Sequence, residues 1–188
     1  MARPHRAATS RPVPKGGRSG GANRPAQRLA ELGLTLPAPP QPVASYLPAV
    51  ETGRLLFVSG MLPLQQGTML HPGRLGDGVT VEEGVLAARQ AALNGLAVVA
   101  AVAGTLDRVV KVVRVNGYVA SAASFTQQPA VMNGASDLLV SVFGPGGRHS
   151  RVAVGVAVLP LNAPVELDLV VELHPSRARP RPGSRFRR

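Results

Sequence analysis

The sequence contains no cysteine and no tryptophan, and only 3% of its 188 residues are aromatic. The absence of cysteine excludes disulfides, thiolate catalysis and cysteine-based metal sites. The histidines do not have the spacing of metal ligands, so we expect no structural zinc. They are His5, His71, His149 and His174. With so few aromatic residues, the core has to be built from valine, leucine and alanine.

Long uninterrupted hydrophobic runs are also lacking. The nearest, Val85–Gly104, is interrupted by Arg89, Gln90 and Asn94, which argues against a membrane span. The N-terminus does not have the apolar segment of a secretory signal. A chain of this length can bury a substantial core as one domain. We therefore expect a single-domain protein in the cytoplasm.

The positive charge is concentrated at the two ends of the chain. Of 21 Lys and Arg residues, seven lie in residues 1–28 and six in residues 174–188, and neither segment contains an acid. The eight remaining bases face ten acids, so residues 29–173 carry a net charge of −2. The high isoelectric point therefore belongs to the ends, and the central part is slightly acidic.

Residues 1–26 and 174–188 are rich in Arg, Pro and Gly and have almost nothing to bury, which predicts two disordered basic tails. Two interpretations of these tails stay open. They are solvated extensions without function, the first arising from a start codon assigned too early, or they bind nucleic acid or another anionic surface by counterion release. The folded domain is predicted over residues 27–173.

Hydrophobic periodicity and turn signals predict alternating strands and helices in this domain. Thr80-Val-Glu-Glu83 is a capping box that starts a long alanine-rich helix, which ends before Gly104. The predicted elements are a helix over 27–34, a hairpin of strands 45–50 and 54–59, a loop over 62–79, a helix over 80–102, a strand over 108–119, a helix over 126–143, and strands over 152–159 and 165–173.

The core order β-β-α-β-α-β-β predicts an α/β (α+β) domain, in which a mixed sheet carries both long helices on one face. One strand is apolar on both sides. Val152, Val154, Val156 and Val158 point one way, and Ala153, Gly155 and Ala157 point the other way beside Arg151. Two helices cover only one face of the sheet. Because the other face also needs cover, we predict a homo-oligomer.

Arg151 and Glu166 are the candidate pair for chemistry. Arg151 begins one predicted strand, and Glu166 follows fifteen positions later in the next. If the two strands form a hairpin, we expect these side chains close together on one face. A guanidinium grips a carboxylate in a bidentate way, and a glutamate can position water and move a proton. Alternatively, the two residues pair as a structural salt bridge.

Three sequence blocks carry a resemblance to a known family. They are Phe57-Val-Ser-Gly60, Gly104-Thr-Leu-Asp-Arg-Val-Val-Lys-Val112 and Arg151–Glu166, which stand in the family's order. Residues 27–173 resemble the RidA/YjgF family of enamine/imine deaminases, also called endoribonuclease L-PSP-like. The resemblance implies the chorismate-mutase-like fold and a homotrimer with ligand pockets between its subunits.

The same resemblance assigns roles to individual residues. It implies that Arg151 binds the substrate carboxylate and that Glu166 positions a water molecule. Tyr46 and Ser59, thirteen residues apart, match a family tyrosine and serine that shape the pocket. Asn133 matches a helix asparagine of the substrate-binding group. Without the resemblance, Tyr46 would be a packing residue, Ser59 a strand cap and Asn133 a polar residue on a helix surface.

Two departures from the family pattern mark a divergent branch. The family's Gly-Pro-Tyr-Ser-Gln is Ala44-Ser-Tyr-Leu-Pro48 here, and its Pro-Ala-Arg is His149-Ser-Arg151. The long 62–79 loop also differs from the shortest members.

The function that the resemblance implies is hydrolysis of reactive enamines or imines derived from amino acids, which yields a 2-keto acid and ammonia. No metal or organic cofactor is needed, because an imine carbon is already electrophilic. One alternative is a trimer that binds a small carboxylate without catalysis. The other is an RNA-directed protein, either a nuclease or a binder that acts through its basic tails. For that binder, removal of residues 1–28 and 174–188 is expected to abolish RNA binding.

Overall fold

The computed structural model describes residues 24–39 and 45–175. The predicted basic tails lie almost entirely outside the described residues. The first helix, α1 (Pro25–Glu31), begins two residues before the predicted helix start at Gln27, because a proline at the first helical position is already set for helical geometry. Residues 25 and 26, predicted as the end of a tail, therefore belong to this helix.

In the described residues, nine strands, two further α-helices and three short 3-10 helices follow. The long helices are α2 (Val81–Ala103) and α3 (Gln128–Phe143). The strands are β1 (Ala49–Thr52), β2 (Leu55–Met61), β3 (Leu64–Gln65), β4 (Thr68–Met69), β5 (Arg74–Leu75), β6 (Gly78–Val79), β7 (Val109–Ala120), β8 (Ser150–Val156) and β9 (Val165–Leu173). The predicted order of the core elements is confirmed.

The main sheet has five strands in the order β1-β2-β9-β7-β8. Only β7 and β8 run parallel, and the other neighbours are antiparallel, so the sheet is mixed as predicted. The predicted 62–79 loop contains two small paired units, β3 with β4 and β5 with β6. In the first, the turn is made by Gln66 and Gly67, both with positive φ.

The last two strands do not form the predicted hairpin. β9 pairs with β2 and β7, and β8 pairs with β7 alone, so β7 lies between them. The connection from β8 to β9 passes through a short 3-10 turn over Pro160–Asn162. Alternating apolar residues predict that a segment is a strand, but they do not specify its neighbour, and this is why the prediction was wrong.

The long helix α2 starts and ends as the sequence predicts. The amide of Glu83 donates to Thr80 Oγ1 at 3.2 Å, and the amide of Thr80 donates to Glu83 Oε2 at 2.9 Å. The hydrogen bond from the Thr80 amide is the main reason why the pKa of the Glu83 carboxyl is lower than its usual value. Gly104 ends the helix with φ of 80°, in the left-handed region that glycine adopts without strain.

Among the described residues, α2 is the one helix long and apolar enough to span a membrane by length and composition. The expectation that no segment qualifies was therefore too strict. Leu96, Val99 and Ala91 of α2 are fully buried, because the helix packs against both the sheet and α3. Its burial is that of a core helix.

Both long helices pack on the same face of the sheet, as predicted. A Cβ added to Gly117 of β7 would lie 2.5 Å from Cε of Met132 in α3, and one added to Gly95 of α2 would lie 2.8 Å from a methyl of Leu169 in β9. No described element covers the other face, where Phe57 and Val154 are 45% and 41% exposed. We call this second side the open face.

Candidate active site

Arg151 lies near the start of the edge strand β8 and faces the helices. Its register partner in β7, Val115, is fully buried against them. The guanidinium contacts α3: Nη1 donates to Asn133 Oδ1 and to Ser136 Oγ, each at 3.0 Å, and Nη2 donates to the carbonyl of Pro129 at 3.1 Å. Three hydrogen bonds from one helix therefore fix the orientation of this side chain.

The guanidinium retains donors for a ligand. A guanidinium carries five N–H groups, and the contacts with α3 use three of them. The N–H of Nε and one N–H of Nη2 have no acceptor within the described part of the chain. These two neighbouring donors match the two oxygens of a carboxylate.

Ser136 links Arg151 to His149. The Oγ of Ser136 lies 3.0 Å from Nε2 of His149, and Nδ1 of the same ring lies 2.6 Å from the carbonyl of Gly147. Because a carbonyl only accepts, Nδ1 carries the proton, and Nε2 accepts from the serine hydroxyl. Burial, and secondarily the charge of Arg151, lower the pKa of His149 and favour this neutral ring.

Glu166 lies on the open face. It pairs in register with Tyr118, while the neighbouring pair of Leu167 and Gly117 faces the helices. A Cβ at position 60 would overlap Oε1 of Glu166, so the bulged glycine of β2 provides the room for this carboxylate. Within the described residues, the Glu166 carboxylate has no hydrogen-bond or ion-pair partner.

The pKa of Glu166 is raised, first by burial and then by the negative charge of Asp168. Asp168 lies on the same face, where Oδ1 accepts from Asn116 Nδ2 at 2.8 Å and Oδ2 from the Tyr118 hydroxyl at 3.3 Å. Burial is also the main cause that raises the pKa of Tyr118, followed by the charge of Asp168. Asp168 is therefore satisfied by neighbours, whereas Glu166 is left with a raised proton affinity and no partner.

Ser59 lies next to Gly60 in β2 and is bonded to the segment that contains Tyr46. Ser59 precedes Gly60, and its hydroxyl donates to the carbonyl of Leu47 at 2.7 Å. The same bond holds the segment that contains Tyr46, whose side chain is 49% exposed. Ser59 thus positions the backbone beside Tyr46.

The candidate residues form two groups on opposite faces of one chain. The arginine half-site consists of Asn133, Ser136, His149 and Arg151. The glutamate half-site consists of Gly60 and Glu166, with Ser59 next to Gly60 and bonded to the segment that contains Tyr46. The expectation that Arg151 and Glu166 meet on one face was wrong, because β7 separates their strands and their side chains point to opposite sides of the sheet. The alternative of a salt bridge between them within one chain is excluded for the same reason.

Sequence reasoning missed Ser136 and undervalued His149. His149 stands where the family pattern has proline, and this departure is the one signal in the sequence that could have drawn attention to it. Ser136 follows Asn133 by three positions, which places both on one side of a helix. In the described part of the chain, no group of three or more His, Asp or Glu residues could hold a metal ion.

The sequence profile of the YjgF/chorismate mutase-like endoribonuclease family matches residues 26–173. The chain belongs to this family. The resemblance inferred from the sequence and the predicted fold class are thereby confirmed.

Several known proteins are similar to this chain over most of its length. Protein TCP17 of Trypanosoma cruzi is 49% identical over 152 residues, which are 80% of this chain and 95% of that protein. A 2-iminobutanoate/2-iminopropanoate deaminase of Dermatophagoides farinae is 31% identical over 138 residues, 73% of this chain and 93% of its own length. The crystal structure of Atu1372, a protein of unknown function from Agrobacterium tumefaciens, is 44% identical with a TM-score of 0.75, covering 80% of this chain and 92% of that one.

Proposed function

We propose that this protein hydrolyses enamines or imines derived from amino acids and releases ammonia and a 2-keto acid. Membership of the YjgF family and the 31% identity to the mite deaminase support this activity. The observation that carries it is the state of Glu166, which has a raised pKa and no partner in the described residues. A carboxylate with a raised pKa is a stronger base than an ordinary glutamate.

The proposal requires two copies of the chain. Because the two half-sites lie on opposite faces of one sheet, Arg151 of one copy has to meet Glu166 of another. A homotrimer with pockets between its subunits, as the family resemblance implies, supplies this arrangement. Exposed apolar side chains on the open face, among them Phe57 and Val154, support such an association. We propose the cytoplasm as its location.

Each half-site has a distinct part in the reaction. Arg151 binds the substrate carboxylate through its two free donors, and Asn133 and Ser136 keep the guanidinium in place. Glu166 accepts a proton from water as the water oxygen bonds to the C=N carbon, and it passes that proton to the nitrogen, which gives a carbinolamine. Glu166 then accepts the hydroxyl proton of the carbinolamine as the carbonyl forms and the C–N bond breaks, and the departing nitrogen takes up this proton and leaves as ammonia. Tyr46 and Ser59 shape the pocket around the substrate.

The test is ammonia release from freshly generated 2-iminopropanoate and 2-iminobutanoate. We expect Glu166→Gln to lower kcat by about a hundredfold or more, because the base is lost while the shape is kept. Arg151→Ala should raise KM by about tenfold or more, through loss of a bidentate ion pair. Arg148→Ala, which removes the same charge three positions earlier, is the matched control and should behave as wild type.

The same experiment separates the alternatives. A protein that only binds carboxylates would be stabilised by 2-keto acids through Arg151 and would not accelerate imine hydrolysis. Absence of acceleration by folded wild-type protein would refute the deaminase proposal. The RNA-directed alternative rests on the family's endoribonuclease description and on the basic tails, and the net negative charge of residues 29–173 argues against RNA binding by the central domain.

A further inference from the structure

A separate cleft of about 430 Å³ opens beyond the far end of β8. It lies on the helix-facing side of the strand, where Gly155 faces the first turn of α3. Its polar lining is Arg74, Ser121 and Gln128, and its apolar lining includes Phe125 and Ala157. One cationic group beside apolar walls is the composition of a site for a small amphipathic anion.

Arg74 lies at this cleft because the 62–79 segment pairs with the residues that follow β7. Leu75 of β5 forms a bridge with Ser121, and the amide of Ala122 donates to the carbonyl of Leu75 at 2.9 Å. Arg74 Nη2 donates to the carbonyl of Ser121 at 2.9 Å. Backbone pairing and this side-chain bond therefore fix the guanidinium at the rim.

The Arg74 guanidinium is incompletely satisfied. Its Nε is shielded from solvent and has no hydrogen-bond partner among the residues that the structure describes. Its nearest carboxylate, Asp77, is 3.8 Å from Nη1 with a side chain that is 68% exposed, so solvent screens this pair. A carboxylate in the cleft would supply this guanidinium with a further acceptor.

Gly155 allows the polar lining of the cleft to approach the strand. A Cβ at this position would lie 2.8 Å from both Gln128 Nε2 and Ser121 Oγ. Those two atoms are themselves held in place, because Gln128 Nε2 donates to Ser121 Oγ at 3.2 Å and to the carbonyl of Phe125 at 2.7 Å. A larger side chain at position 155 would therefore displace two of the polar side chains that line the cleft.

We propose that this cleft is a second binding site, in which Arg74 holds the carboxylate of a small organic acid and Phe125 and Ala157 contact its apolar part. It is distinct from the arginine half-site. Arg151 and Gly155 face the same way four residues apart on β8, so their Cα atoms are separated by about 13 Å. Arg151 is therefore not needed for binding in the cleft.

The test uses the full-length Arg151→Ala protein, which removes the first carboxylate site, and titrates it with hexanoate by NMR. The uncharged hexanamide is the matched probe. We expect saturable shifts around the cleft with hexanoate and binding at least about tenfold weaker with hexanamide, because the charge-assisted bonds are lost. Arg74→Gln should weaken hexanoate binding by a similar factor, and Gly155→Val should abolish it. Asp77→Asn should tighten it about twofold or more, since the competing carboxylate is gone.

Equal binding of hexanoate and hexanamide, or unchanged hexanoate binding in Arg74→Gln, would overturn the second site. If Gly155→Val does not fold, Arg74→Gln still tests the proposal, because a partly exposed side chain of a short strand tolerates replacement. Hexanoate binding does not depend on imine turnover. Failure of this proposal is therefore distinguishable from failure of the deaminase proposal.

Discussion

Ser136 links the side chains of Arg151 and His149 in the arginine half-site. It accepts from Arg151 Nη1 and donates to His149 Nε2. We predict that Ser136→Ala raises KM for imine substrates about threefold to tenfold with little change in kcat, because a hydrogen bond to a charged group contributes about 1.5 kcal/mol. Steady-state ammonia release measures this.

Ser141→Ala is the control for this substitution. Ser141 lies in the same helix, and its hydroxyl donates to the carbonyl of Asp137 at 2.7 Å, away from the half-site. Both variants remove one hydroxyl from α3. If Ser141→Ala raises KM as much as Ser136→Ala does, the effect comes from the helix as a whole, and the positioning role of Ser136 is wrong.

The raised pKa of Glu166 predicts the pH dependence of both activity and stability. The base acts when deprotonated, so kcat/KM should rise with pH through a pKa above the ordinary glutamate value. Because the folded-state pKa exceeds the unfolded one, the stabilising contribution of this group is full below the unfolded pKa and is lost as pH rises through the folded pKa. Glu166→Gln should therefore be more stable than wild type at neutral pH, measured by urea unfolding.

Asp168→Asn tests whether the negative charge of Asp168, the second cause, helps to raise the pKa of Glu166. Removing the neighbouring negative charge should move the acid limb of the kcat/KM profile to lower pH. Glu172→Gln removes one negative charge from the same face of β9 and should leave the limb unchanged, since Glu172 pairs with Arg54 and Lys111. If the acid limb of the kcat/KM profile moves equally in both variants, the effect is not specific to Asp168.

Which residues belong to the candidate site was easier to predict from the sequence than where they lie relative to one another. Arg151 stood out because a charge beside alanine and glycine in an apolar strand needs a partner, and that partner is α3. Glu166 was assigned only by family pattern, since alternation with Asp168 and Glu172 is equally typical of a solvated strand. Ser136 was not found, because its contact with Arg151 depends on how α3 lies across β8, and no local pattern encodes that.

The contact between α2 and α3 is set by a glycine. A Cβ at Gly134 would overlap the carbonyl oxygen of Val85, so the helices approach with backbone against backbone. We predict that Gly134→Ala destabilises the protein by about 1–3 kcal/mol, because the helices must separate. The free energy of unfolding in urea gives this value.

Gly84→Ala provides the comparison, because it is also a glycine inside a helix at the same interface. Its added Cβ would meet only side-chain methyls of Leu75 and Val131, at 2.7 Å and 3.1 Å, and these can move. Alanine also improves helix propensity by about 1 kcal/mol at both positions. A Gly134→Ala protein as stable as Gly84→Ala would contradict the backbone contact.

The elements themselves were largely predictable, whereas their pairing was not. The capping box at Thr80 and the glycine at position 104 fixed the ends of α2, because both act through bonds within a few residues. The two short units in the 62–79 segment were missed because each strand has only two residues. The placement of β7 between β8 and β9 depends on long-range packing, which turn signals do not report.

The whole molecule presents two unlike surfaces of the sheet, one covered by helices and one open. The arginine half-site belongs to the covered side and the glutamate half-site to the open side. A ring of identical subunits brings different faces of neighbouring copies together. The central claim is therefore that each catalytic site takes Arg151 from one copy and Glu166 from the next.

Mixing two inactive variants tests this claim most directly. Arg151→Ala and Glu166→Gln proteins are combined in equal amounts, unfolded and refolded together, and assayed for imine hydrolysis. In a randomly assembled ring, about one quarter of the interfaces would join an intact Arg151 to an intact Glu166. The account predicts recovery to about that fraction of wild-type activity. If native mass spectrometry confirms mixed oligomers and the mixture is no more active than the separate variants, the shared site is wrong.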